Sequence, residues 1–185
     1  KEAIESAIDK MLGYHEITHV INNFGINHLS WIGTTPKDDE KIFQCNVMGP
    51  YWIINHLVKH GQVCRVVNIA SATYRVPQRC TSLYSASKAA LVQMTKVMAR
   101  ELAPKGWTIN SLSPGFIEGT EMSRLTMKQV CELRGWTEKE AREYATELVP
   151  MGRSTTTAEV AEMVMKMLEM PSYVNGTNID MMGGV

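Results

Sequence analysis

Residues 63–70, Val-Cys-Arg-Val-Val-Asn-Ile-Ala, constrain this fold more than any other stretch. A nearly continuous β-branched run of that length predicts a strand buried on both faces, as in a parallel sheet covered by helices. Shorter apolar runs recur at 17–22, 107–112 and 178–181. Helical stretches separate them: 2–12, ended by Gly13; 37–60, with a break near Gly49-Pro50; 82–103, ended by Pro104-Lys105-Gly106. A further helix is expected at 157–170, with Thr155 or Thr156 as N-cap, and one or two polar helices at 121–149, divided by Gly135-Trp136. Residues 23–36 and 71–81 read as loops. This alternation predicts an α/β protein, a parallel sheet of about four strands joined by right-handed helical crossovers, in one domain over 1–185.

Composition narrows the function. The net charge is +0, so no basic stripe points to nucleic acid. No apolar run approaches the roughly 20 residues that span a bilayer, which argues against a membrane role. No signal-peptide pattern opens the sequence. The four cysteines, Cys45, Cys64, Cys80 and Cys131, form no C-x-x-C pair and read as reduced thiols, and a cytoplasmic location is expected. His56 and His60 share a helix face at i, i+4, a spacing that can ligate a metal. No carboxylate or cysteine motif converges with them in the sequence, so a packed or solvated pair and no metal are expected. Met163, Met165, Met167 and Met170 crowd one helix and read as soft core filling or an adaptable interface.

The chemistry-bearing pattern is Tyr84-Ser85-Ala86-Ser87-Lys88, with Ser71 thirteen residues before the tyrosine. At i and i+4 of a helix, Tyr84 and Lys88 lie on one face, where the ammonium would favour phenolate and lower the tyrosine pKa. Such a phenol can pass a proton to or from a substrate oxygen. Taken alone, the pair reads as a solvated helix face. Its company is more specific: Asn22-Asn23-Phe24-Gly25 ends one apolar run, Asn68-Ile69-Ala70-Ser71 another and Ser113-Pro114-Gly115-Phe116-Ile117 a third, with Asn46 between the first two.

This ordered set resembles the short-chain dehydrogenase/reductase family over essentially the whole chain. The resemblance implies a Rossmann-like doubly wound sheet and an NAD- or NADP-dependent oxidoreductase that interconverts a secondary alcohol and a ketone. By the same resemblance Tyr84 is the general acid/base, Lys88 lowers its pKa and holds the nicotinamide ribose, Ser71 binds the substrate oxygen, and Asn46 holds a water linking Lys88 to solvent. Asn22, Asn23, Phe24 and Gly25 would line the adenosine ribose side, with Phe24 standing where the family has alanine. Pro114, Gly115, Ile117 and Thr120 would hold the nicotinamide amide and phosphates. Tyr74, Arg75 and Gln78 lie where substrate is often contacted, 121–150 would be a helical lid, and copies would associate into a homo-oligomer. Asn46 as a helix kink, Ser71 as a turn opener and Phe24 as a packing change remain open.

The family's Gly-x-x-x-Gly-x-Gly turn, which cradles the cofactor pyrophosphate, is not found in these 185 residues. The Rossmann-like sheet is therefore expected to be truncated, with the 17–22 strand at an edge. A longer protein of which this is a piece, a partner chain at that edge, and an inactive scaffold serving binding or assembly are the alternatives this leaves.

Overall fold

The computed structural model describes residues 1–34 and 39–185. The chain runs α1 (Glu2–Leu12), β1 (His19–Asn22), α2 (Asp39–Phe43), a π-helical turn (Gln44–Met48), α3 (Gly49–Lys59), β2 (Arg65–Ile69), a short 3-10 turn (Ala72–Tyr74) and α4 (Ser82–Leu102). After a second 3-10 turn (Ala103–Lys105) come β3 (Thr108–Pro114), α5 (Glu121–Arg134), α6 (Glu138–Glu147), α7 (Thr157–Glu169) and β4 (Asn178–Met181). The four strands form one parallel sheet in the order β1-β2-β3-β4. The expected strand count, direction and helical crossovers are all present, and β1 lies at an edge of the described sheet with Ile21 45% exposed.

Some expected boundaries change. The 17–22 strand starts at His19, and the 107–112 strand extends to Pro114, which pairs with Met181. The 37–60 helix does not break at Gly49-Pro50; its expected start at Lys37, and Thr35 and Pro36 of the preceding loop, lie outside the described residues. Pro50 has no N–H for the carbonyl four residues back, and the helix widens ahead of it into a π turn, with Gly49 N–H reaching the Gln44 carbonyl.

Core residues line both faces of the sheet. On one, Val66 and Ile109 pack with Ile8 of α1, Ile54 and Leu57 of α3, and Met98, Ala99 and Leu102 of α4, around the buried Trp107. On the other, Val67, Ile69 and Leu112 pack against Val160, Val164, Met167 and Leu168 of α7. Met167 is core filling as expected, whereas Met165 faces outward, 55% exposed. The four cysteines are free thiols. His56 and His60 correct the expectation that no carboxylate joins them: Asp9 of α1 meets both.

Candidate active site

The buried side of α4 comprises Tyr84, Ser87, Lys88, Leu91, Val92, Thr95, Met98, Ala99 and Leu102. Their spacing of three and four makes one continuous stripe. Its lower end is apolar and its upper end is polar, because the upper end lies over the carboxyl ends of the strands. There the sheet carries its own polar row: Asn22, Asn68, Ser111 and Asn178 stand in register across the strands. Asn22 Nδ2 donates to Asn68 Oδ1 at 2.7 Å, and Asn68 Nδ2 donates to Thr95 Oγ1 of α4 at 2.8 Å. The Ser111 and Ser113 hydroxyls both donate to Asn178 Oδ1, at 2.8 and 2.9 Å.

Tyr84 and Lys88 are 8% and 3% exposed. Lys88 Nζ donates to the Ile69 carbonyl at 2.8 Å, which ties α4 to the end of β2. Ser71 follows two residues later and caps the 3-10 turn, its Oγ accepting from Thr73 N–H at 3.3 Å and Thr73 Oγ1–H at 3.1 Å. The same side chain lies near enough to the Tyr84 phenol to draw its pKa downward. Ser71, Tyr84 and Lys88 are thus brought together as the sequence spacing anticipates.

The electrostatics differ from the expectation. Burial pushes the Tyr84 phenol up, and the nearby Ser71 side chain opposes that rise. Lys88 does not pull the phenol down here: its Nζ stands 5.8 Å from the ring centroid and points to a carbonyl. Lys88 is instead the strongly shifted group, with burial lowering its ammonium to about 8 against a smaller upward pull from Cys45. The charged form is disfavoured because few groups replace its water.

Asn46 is buried in the π turn, and its polar atoms are occupied. Oδ1 accepts from Ile26 N–H at 2.9 Å, while Nδ2 donates to the Ile26 carbonyl at 2.9 Å and to Ser87 Oγ at 3.0 Å. It binds the loop after β1 to α4, where the resemblance implied a water holder. Ser87, which the sequence reading passes over, completes that link by donating to the Tyr84 carbonyl at 2.7 Å. Its position on the Tyr84–Lys88 face was the available signal.

The loop after β1 approaches closely. A Cβ on Gly25 would stand 3.2 Å from Asn46 Oδ1 and 3.3 Å from Lys88 Nζ, so only glycine leaves that contact relaxed. Asn23 is exposed, whereas Asn22 is buried with its side chain turned to Asn68 of the sheet. The Phe24 ring lies on Gly49, where a Cβ would come within 2.6 Å of it, so the ring fills space over the π turn.

After β3, the Gly115 N–H donates to the Met181 carbonyl at 2.9 Å, and Ile117 bridges to Thr155. The Thr120 hydroxyl caps α5 and accepts from Ser123 N–H at 3.0 Å, so its side chain is used in the helix start. Tyr74 and Arg75 do not reach toward Tyr84; both bind Asp180 of β4, at 3.0 Å each, and Gln78 is exposed. Asp180, exposed in a four-residue strand, carried no sequence signal.

A cleft of about 650 Å³ opens beside α5 and α6, lined by Phe116, Thr120, Arg124, Met127, Cys131 and Arg142 among others. Tyr84, Ser71 and Lys88 are not in its lining.

Known proteins give the same outline. The chain matches, over residues 1–185, the family model described as enoyl-(acyl carrier protein) reductase. It is 28% identical over 191 residues to a 3-oxoacyl-(acyl-carrier-protein) reductase of Thermotoga maritima, covering 100% of this chain and 71% of that protein. It is 27% identical over 164 residues to a galactitol 2-dehydrogenase of Agrobacterium fabrum, covering 86% and 63%. Among solved structures, a 3-ketoacyl-(acyl-carrier-protein) reductase from Brucella melitensis complexed with NADH superposes with a TM-score of 0.83 at 26% identity, covering 100% of this chain and 74% of that one.

Proposed function

The chain belongs to the short-chain dehydrogenase/reductase family, and from that premise we propose an NAD(P)-dependent oxidoreductase that interconverts a secondary alcohol and a ketone. The observation that carries this reading is the gathering of Ser71, the buried Tyr84 and, one turn further along α4, the buried Lys88 bonded to the Ile69 carbonyl at the end of a parallel strand.

In reduction, Tyr84 gives its phenolic proton to the carbonyl oxygen; in oxidation, its phenolate takes the proton from the alcohol. Ser71 holds the same oxygen and steadies the phenolate. Lys88 supplies positive charge one turn away. Asn46 and Ser87 act as positioning residues, fixing Gly25 and the first turn of α4. A bound nicotinamide supplies or accepts the hydride. The chain fits that half of a dinucleotide: Lys88 uses one N–H on Ile69, leaving two directions for ribose hydroxyls, and Gly25 leaves its Nζ approachable. Pro114, Gly115, Ile117 and Thr120 would then hold the carboxamide and phosphates through backbone groups, and α5–α6 would fold over the substrate. Exposed Tyr51 and Val97, 40% and 45% accessible on α3 and α4, suit a homo-oligomer contact, which light scattering would reveal.

The test is Tyr84→Phe, assayed by NADH or NADPH oxidation against a panel of ketones. A loss of at least about 100-fold in kcat with the melting temperature retained is expected. Undiminished turnover by the variant would remove the proposal.

A further inference from the structure

A second constellation lies where α1 meets α3. Asp9 sits in the later half of α1, His56 in the last turn of α3, and His60 at its C-cap. The Nε2 atoms of His56 and His60 stand 2.7 and 3.3 Å from the same oxygen, Asp9 Oδ1. The two rings lie 4.5 Å apart between centroids. Glu5, one turn before Asp9, places Oε1 3.9 Å from His56 Nδ1.

We propose that Asp9, His56 and His60 form a binding site for a divalent transition-metal ion of the zinc type, which clamps α1 to α3. Three observations carry it. The donors are two imidazole nitrogens and one carboxylate oxygen, a set that suits zinc, whereas magnesium and calcium take oxygen shells. The spacing is close to that of a bound site: all three ligand atoms lie within 4.8 Å of one another. Bonds of about 2.0–2.1 Å in a tetrahedron hold neighbouring ligands about 3.3 Å apart, the present separation of His60 and Asp9. His56 is closer to Asp9 than that, and a small rotation of Asp9, 51% exposed, supplies the difference. Finally, the ion would lie at the C-terminal turn of α3, whose carbonyl ends favour positive charge, with the Glu5 carboxylate placed to take the Nδ1–H of His56. The fourth position faces solvent and suits a water.

Sequence spacing hides this site, because 47 residues separate Asp9 from His56. Only the packing of the two helices brings a carboxylate onto the i, i+4 histidine pair.

Calorimetric titration of the full chain with ZnCl₂, repeated by absorbance with CoCl₂, tests it. One equivalent of Zn²⁺ is expected to bind with a Kd on the order of micromolar. At about a hundredfold excess over Kd the melting temperature should rise by on the order of 5 °C, reversed by EDTA. Co²⁺ should show visible bands of a tetrahedral nitrogen–oxygen site without thiolate charge transfer, which separates it from the free cysteines. His60→Asn and Asp9→Asn, both at well-exposed side chains, should each weaken binding at least about tenfold with unchanged circular dichroism. Absence of saturable binding below about 100 μM, a thiolate band, or undiminished affinity in both variants would overturn the proposal.

Discussion

Lys88 holds its charge in a place that resists it. Its folded pKa of about 8 lies below the ordinary lysine value of 10.5 because burial disfavours the ammonium. Below pH 8 the folded state carries this cost in full. Between about pH 8 and 10.5 the unfolded chain binds the proton that the folded chain has released, so this group makes stability rise with pH across that window. Lys88→Met is expected to raise unfolding free energy at pH 7 by roughly 1–3 kcal/mol and to flatten the slope above pH 8, as read by urea denaturation. A destabilised variant would show that the Ile69 bond outweighs desolvation, and an unchanged slope that Lys88 does not titrate in this window. Asn46 is the opposite case: three bonds hold it, so Asn46→Ala should cost about 2–3 kcal/mol by leaving Ile26 and Ser87 unpaired. Ser71, Tyr84 and Lys88 were legible as residues because a helix face and a strand end follow from spacing. Their charges were not, because the direction of a lysine N–H depends on which carbonyl lies nearest.

Helix starts show how short-range chemistry survives into the structure. Thr120, Thr137 and Thr156 each open a helix with a capping box, to Ser123, Glu140 and Glu159. The sequence left Thr155 and Thr156 as alternatives for α7. The structure selects Thr156, whose hydroxyl accepts from Glu159 N–H at 3.2 Å while the Glu159 carboxylate returns to Thr156 N–H at 2.9 Å. Thr156→Ala is expected to cost about 1 kcal/mol, a fall of about 2–4 °C in Tm by calorimetry. Arg153 first, and the Thr156 bonds second, hold the Glu159 carboxyl down at about 2. Its folded pKa is depressed, so its contribution is present above the ordinary carboxylate range and fades as pH falls toward 2. The π turn at Gln44–Met48 was not legible, because proline marks a missing hydrogen bond without saying whether the helix ends or widens.

At the scale of the molecule, the sheet separates two apolar cores and gathers polar groups at one end. Trp107, 1% exposed, fills the core beneath α1, α3 and α4. Trp107→Ala should destabilise by about 3–5 kcal/mol, with a lower urea midpoint. The residues alone determined strand and helix alternation, a parallel sheet, and the ordered Ser71, Tyr84 and Lys88 set. Those features rest on periodicity and local chain chemistry, which act within a few residues. Tertiary packing alone decided which carbonyl takes the Lys88 proton, that Asn46 binds Ile26 instead of standing open, that Asp180 captures Tyr74 and Arg75, and that Asp9 meets His56 and His60. Each is a contact between segments distant in the chain, set by how helices settle on the sheet. No spacing in the sequence encodes that.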